Sequence, residues 1–154
     1  YGLDKSSVAI QNNLNKVEDI FFKKDFCKID KFLINFFKKK KTTKIYSRFF
    51  LHALNFSEEK LFIENCRKIL IKNGYLLLEF RTTEDPLMRI GKKISKNERL
   101  SNHYRRFINV DDFLKKIRQD YDFFRIIYYK KSFGLARFKK ENPNVCRLIL
   151  KKIN

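Results

Sequence analysis

The chain has 154 residues and a formal net charge of +19, room for one domain with a real hydrophobic core (residues 1–154) and not for two. Lysine carries most of the excess, in runs such as Lys38 to Lys41, beside abundant Phe, Ile and Asn and very little Gly or Ala. A solvated lysine surface accounts for that charge, although clustered basic side chains displace counterions from phosphates and keep an RNA-binding or RNA-modifying protein open as an alternative.

No apolar run approaches the ~20 residues that cross a bilayer, and Tyr1 to Ile20 lacks the apolar core of a signal peptide. Cys27, Cys66 and Cys146 form no C-x-x-C pair and read as buried small hydrophobes in a reducing cytosol. A cytoplasmic protein without membrane association is expected. No Walker glycine loop, zinc spacing or H-E-x-x-H motif occurs, so nucleotide hydrolysis and bound metal have no support.

In chain order, IFFKKDF (20–26) is a short apolar run closing on an acid and reads as a strand. Asp30 then caps a helix carrying Phe32, Leu33, Phe36 and Phe37 on one side, with lysines at its C-terminal end, where the helix dipole favours them. KIYSRFF (44–50) is β-prone and nearly uninterrupted, as expected of a strand buried on both faces of a parallel sheet. Ser57 is the expected N-cap of the next helix, with Glu58 and Glu59 in its first turn. Phe62, Cys66, Ile69 and Leu70 recur at helical spacing, while Glu59, Arg67 and Lys68 are placed on the outer face. Asn73-Gly74 supplies a left-handed stop, and YLLLEF follows as another buried strand.

Thr82 to Ile108 reads as loop. Asn109 with Asp112 marks an N-cap, and Phe113, Leu114 and Ile117 a short helix. FFRIIYY (123–129) and VCRLILKK (145–152) are strands whose connection is too short for a helical crossover, so they should be antiparallel neighbours. The alternation predicts an open, mostly parallel α/β sheet, with ligands outside the carboxyl ends of its strands. Arg48 and Arg81 end two of those strands.

YGLD, IFFKKDF, IYSRFFLHAL and ILIKNGYLLLEFR, in this order, resemble the second through fifth strands of a class I S-adenosylmethionine-dependent methyltransferase. The closing pair is similar to that family's reversed last strand. The narrower likeness of residues 45–82 is to bacterial small-molecule methyltransferases associated with surface glycans. The resemblance covers nearly the whole chain and implies a Rossmann-like sheet with an antiparallel C-terminal strand. It departs from the family in having no G-x-G turn. The glycines are Gly2, Gly74, Gly91 and Gly134, and the resemblance begins at the end of the family's second strand. A domain lacking the first strand and first helix is therefore the expectation, as is weak cofactor binding by this chain alone.

The same resemblance implies S-adenosylmethionine as cofactor. Asp4 matches the acid that holds the ribose hydroxyls and Asp25 the acid that accepts the adenine amino group. Phe26 would pack on the base, and the segment from Ser47 to His52 would run beside the methionine moiety. His52, His103 and, if burial raises its pKa, Glu79 are candidate general bases. His52 reads equally well as a structural histidine packed behind the strand. Arg48, Arg81, Arg105 and Arg106 would offer guanidinium forks to a phosphate or carboxylate of a small, possibly sugar-linked acceptor. Alternatively, Arg48 and Arg81 pair with Glu79 or Glu84 to fix loops, and Glu141 with Arg147 forms a supporting ion pair. A non-catalytic scaffold or relic is the remaining alternative.

Overall fold

The computed structural model describes residues 1–14 and 20–154. Strands β1 (Gly2–Asp4) and β2 (Phe21–Lys23) pair in parallel, on either side of α1 (Ser7–Leu14). The strand read as 20–26 thus stops early, because Asp25 caps a 3-10 turn over Phe26–Lys28. Helix α2 (Lys31–Lys39) starts at Asp30, whose Oδ1 accepts the Leu33 N–H at 2.9 Å, and ends in lysines. Leu33 and Phe37 lie one helical turn apart and are buried, whereas Phe32, assigned to the same side, is 74% exposed. Adjacent residues on a helix point about 100° apart, so a stripe centred on Leu33 and Phe37 leaves Phe32 at its margin.

Strand β3 (Lys44–Arg48) leads through a 3-10 turn, Leu51–Ala53, into α3 (Phe56–Ile69) and then β4 (Tyr75–Arg81). The cap of α3 is Asn55 and not Ser57. Asn55 Oδ1 accepts the Glu58 N–H and Glu58 Oε2 accepts the Asn55 N–H, each at 2.9 Å, a reciprocal capping box. Phe62, Cys66, Ile69 and Leu70 are buried as their spacing predicts. Glu59 is a correction: placed on the outer face, it is 1% exposed. Asn73 takes φ +66° in the turn before β4, the left-handed conformation that asparagine tolerates.

The stretch expected to be loop holds a 3-10 turn, Pro86–Arg89, and a small antiparallel sheet of β5 (Lys92–Lys93), β6 (Glu98–Leu100) and β7 (Tyr104–Arg106). Strands this short carry no readable period. Helix α4 (Val110–Asp120) begins at Asn109, whose Oδ1 accepts the Asp112 N–H at 3.1 Å. The last two strands, β8 (Phe124–Ser132) and β9 (Val145–Lys152), pair antiparallel as expected.

The larger sheet has the order β3-β4-β9-β8, with β3 parallel to β4 and β9 antiparallel to both its neighbours. Only β9 runs against the others in that sheet, so the architecture is the open, mostly parallel α/β sheet with an antiparallel C-terminal strand. Its core gathers Phe62, Ile63, Cys66, Leu76, Leu78, Phe80, Phe113, Ile117, Leu148 and Leu150. A second cluster, Ile29, Leu33, Phe37 and Ile69, packs beside β1 and β2. Among the described residues no strand lies between β1 and β3, and none of the helices is long and apolar enough to cross a membrane. Contrary to expectation β3 is not buried on both faces: Lys44, Tyr46 and Arg48, which share one face, are exposed, Tyr46 at 65%, while Ser47 on the other face is buried.

Candidate active site

A cavity of about 400 Å³ separates β1 from β3. It brings together Asp4, Phe26, Ser47 and Arg48, which the sequence scatters over 45 positions, and adds Phe50. Asp4 closes β1 and its Oδ1 accepts the Ser6 N–H at 2.7 Å. Phe26 is anchored by its ring on Phe62, centroids 5.4 Å apart, and by Asn65 Nδ2, which donates to its carbonyl at 2.9 Å. Ser47 Oγ is buried on the wall without a hydrogen-bond partner among the described residues. A buried hydroxyl of this kind is costly unless something fills its bonding capacity. Asp25 is not on the wall. It lies just past β2, and its Oδ1 accepts the Cys27 N–H at 2.9 Å to hold the turn that carries Phe26.

Beyond the carboxyl ends of β3 and β4 lies a group of guanidinium and carboxylate side chains. Register places Arg48 opposite Glu79, and Glu79 opposite Arg147 on the other flank. Buried Glu79 consequently accepts from Arg48 Nε at 2.8 Å and from Arg147 Nε at 2.7 Å. Arg81 donates to Asp85 at 3.0 Å and to Glu141 at 2.8 Å. The pairing expected between Glu141 and Arg147 is therefore exchanged: each takes a partner on β4. Glu84, the alternative partner for an arginine, bonds Lys131 instead.

Phe49 lies within the segment expected beside the methionine moiety, but nothing in the sequence sets it apart there from another apolar strand residue. Its φ of +54° is an outlier for a bulky side chain, and such strain collects at functional sites. The ring lies 5.0 Å from the Arg48 guanidinium and 5.4 Å from that of Arg81, near enough for cation–π attraction to both.

His52 is buried with its ring edge toward Phe49, centroids 5.5 Å apart, and its Nδ1 has no partner among the described residues. Burial, then the positive charges of Arg81 and Arg105, push its pKa down to about 3. The imidazole is neutral at physiological pH and far too weakly basic to be a good general base. Glu79 is no better placed, with both oxygens held by arginines. His103 also has a lowered pKa, from desolvation and then Arg105 and Arg81, but it is exposed and neutral, able to accept a proton from an entering group. Arg105 bonds Ser101 Oγ at 2.8 Å and, among the described residues, pairs with no carboxylate.

Arg106 is placed elsewhere than the cleft. It is 3% exposed, donates to the Leu54 carbonyl at 2.8 Å and to Glu59 at 2.5 Å, and shares Glu59 with Lys116 at 2.7 Å. This triad explains the inward Glu59. Successive residues of a strand face opposite sides, so Arg105 and Arg106 of β7 cannot serve the same cleft.

A carboxylate, an aromatic face and an unpartnered hydroxyl around one cavity fit the nucleoside half of S-adenosylmethionine. The amino-acid end has no glycine turn to receive it. The one glycine on the wall, Gly2, makes room for the Phe21 ring, which occupies the space where a Cβ would stand.

Neither a family model nor a curated protein matches the sequence. Solved structures do resemble the fold. A SAM-dependent methyltransferase from Methanosarcina mazei superposes with a TM-score of 0.75 at 12% identity, over 99% of this chain and 81% of that one. A SAM-dependent methyltransferase from Anabaena variabilis gives 0.70 at 16% identity, over 98% and 67%. The 1,6-didemethyltoxoflavin-N1-methyltransferase of Burkholderia thailandensis, solved with bound 1,6-didemethyltoxoflavin and S-adenosylhomocysteine, gives 0.64 at 9% identity, over 99% and 60%. The chain thus has the Rossmann-like fold of SAM-dependent methyltransferases.

Proposed function

We propose that the chain is a methyltransferase domain that binds S-adenosylmethionine and directs its methyl group to a small anionic acceptor. The observation that carries this reading is the convergence of Asp4, Phe26 and the unpartnered Ser47 hydroxyl on one cavity, within a fold shared with methyltransferase structures. Asp4 keeps one carboxylate oxygen beyond its Ser6 contact and would accept from a ribose hydroxyl. Phe26 offers a ring face to the base, and Asp25 positions that ring by capping its turn. Ser47 would gain at the ligand the hydrogen bond it lacks. When bound, the cofactor supplies an electrophilic sulfonium methyl.

Displacement at such a carbon needs chiefly alignment and a deprotonated nucleophile. Arg105, free of carboxylate among the described residues, with the exposed edge of Arg48, would hold the acceptor's phosphate or carboxylate, whereas both ends of the Arg81 fork are taken by Asp85 and Glu141. His103 would take the acceptor's proton if the nucleophile arrives protonated. Neither Glu79 nor His52 is assigned that role. The toxoflavin-related enzyme from Burkholderia acts on a small molecule, consistent with the size of the site.

Amide chemical-shift mapping with millimolar S-adenosylhomocysteine tests the reading, because it registers weak binding. Shifts should concentrate at Asp4, Phe26, Ser47 and Phe50 and vanish in Asp4→Ala. Shifts elsewhere, or none, would refute the cofactor site. Labelled methyl transfer into phosphorylated or carboxylated small molecules then tests the acceptor class.

A further inference from the structure

Between Phe123 and Lys140 the chain carries Arg125, Lys130, Lys131, Arg137, Lys139 and Lys140 and no acid. The second half of this stretch is the connection from β8 to β9, and its backbone is held in place. Asn142 Oδ1 accepts the Gly134 N–H at 2.7 Å, and Arg147 Nη2 donates to the Leu135 carbonyl at 2.5 Å. Phe138 and Glu141 exchange backbone hydrogen bonds at 3.1 and 2.9 Å around a tight turn at Lys139-Lys140. Ala136 is buried, yet Phe133 and Phe138 stand 48% and 66% exposed on the same fixed backbone. Arg137, Lys139 and Lys140 are exposed beside them and pair with no carboxylate among the described residues.

We propose that this hairpin is an interfacial anchor, which docks on an anionic lipid bilayer with the Phe133 and Phe138 rings at the headgroup level and Arg137, Lys139 and Lys140 on the lipid phosphates. Charge and shape select the occupant. A second copy of the chain would oppose cations to cations and be repelled. A single-stranded nucleic acid stacks on free ring faces along a groove, but Lys139 Nζ already lies over the Phe138 ring, 5.6 Å from its centroid, and the two-residue turn makes the segment a projection. Neither the cavity beside β1 nor the smaller one beside Glu59 takes a wall residue from it. A planar interface receives such a projection, because apolar tips enter the headgroup region while flanking cations meet anionic lipid. The expectation of no membrane association followed from the lack of a long apolar run, whereas a loop lying at the surface needs none. Glu141, at the base of the hairpin, is bonded to Arg81, so docking would bring the arginine group beyond β3 and β4 near the lipid. The inference does not depend on methyl transfer.

The test uses the whole chain and vesicles of phosphatidylcholine with and without phosphatidylglycerol. Co-sedimentation should show binding to the anionic vesicles only, weakening as salt is added. Each basic side chain near such a surface contributes about fivefold, so Arg137→Gln, Lys139→Gln and Lys140→Gln together should weaken binding about a hundredfold. Phe133→Ser with Phe138→Ser should weaken it about tenfold or more through the apolar area lost. A control removes the same charge at the C-terminal end of α2, which leads into the start of β3 and so lies at the opposite end of the sheet: Lys38→Gln, Lys39→Gln and Lys41→Gln together should weaken binding by less than about fivefold. The chain has no tryptophan, so Phe138→Trp places a single reporter at the hairpin, and its emission should shift to the blue and be quenched by brominated acyl chains. No binding, equal binding to neutral vesicles, a control as weak as the hairpin variant, or an unquenched tryptophan would each overturn the proposal. Tighter binding to a labelled oligouridylate, lost in the same hairpin variants, would overturn it in favour of nucleic acid.

Discussion

Glu59 and Arg106 form a pair whose removal separates a structural arginine from a substrate-binding one. Glu59→Ala leaves the Arg106 guanidinium, 3% exposed, with the Leu54 carbonyl as its described hydrogen-bond acceptor, the Phe56 ring 4.5 Å away and no carboxylate bonded to it. Lys116, 30% exposed in its side chain, can swing into water, but Arg106 cannot. Breaking a buried ion pair by deleting one partner costs about 3–5 kcal/mol. In a chain of this size each kcal/mol lowers Tm by about 2–4 °C, so the drop should be roughly 6–20 °C. Glu59→Met combined with Arg106→Leu buries no charge and should recover most of the loss. Urea and thermal unfolding of the wild type, the single variant and the double variant supply the comparison. A single-variant loss below about 1 kcal/mol would mean that Arg106 reaches solvent and would refute the burial argument. A double variant as unstable as the single one would show that packing, and not the orphaned charge, is at fault. The acceptor KM of the double variant should match that of the wild type, since Arg106 lies outside the cleft.

Arg105→Ala should reduce kcat/KM for an anionic acceptor about tenfold or more, the effect of one lost charge-assisted hydrogen bond, while S-adenosylhomocysteine shifts at Asp4 and Phe26 stay as they were; an equal loss of cofactor binding would contradict the assignment. His52 predicts a pH dependence of stability. Its folded pKa of about 3 lies below the unfolded value near 6.5, so the unfolded state binds the extra proton between those limits, and stability falls as pH drops below about 6.5. By pH 5 the loss from this residue should be about 2 kcal/mol, and His52→Leu should flatten the profile over pH 5–7 measured by urea unfolding. Cys27, Cys66 and Cys146 are buried free thiols, the pKa of Cys27 and Cys146 pushed up to about 12 by burial. Ellman's reagent should find no fast-reacting thiol in the native protein and three after denaturation.

Much of the architecture is set by interactions between near neighbours in the chain. Asp30 and Asn109 announce their helices because a side-chain oxygen three residues upstream satisfies a free N–H. β9 runs over the residues 145–152 that its apolar pattern marks. The short connection after β8 dictates an antiparallel partner. Asp4, Phe26 and Ser47 could be named as candidate site residues only through their order along a strand pattern that resembles a known family, since no single one carries a distinguishing signal.

Tertiary structure decided what depends on distant partners. Glu59 faces inward because Arg106 approaches from 47 positions away, and its placement at the start of α3 is otherwise that of a solvated acid. Asn55 displaced Ser57 as cap through a reciprocal bond that required the chain to turn two residues sooner. The exchange of partners among Arg81, Arg147, Glu79 and Glu141 follows from β9 inserting beside β4, a strand order that local periodicity does not encode. Composition and period determined which segments become strands and helices, because those preferences act over one helical turn or one strand pair. Which charges meet, which edges stay open and which polar groups are buried without partners were decided by register and packing across the sheet. Their energies exist only once residues far apart in the chain are brought together out of water.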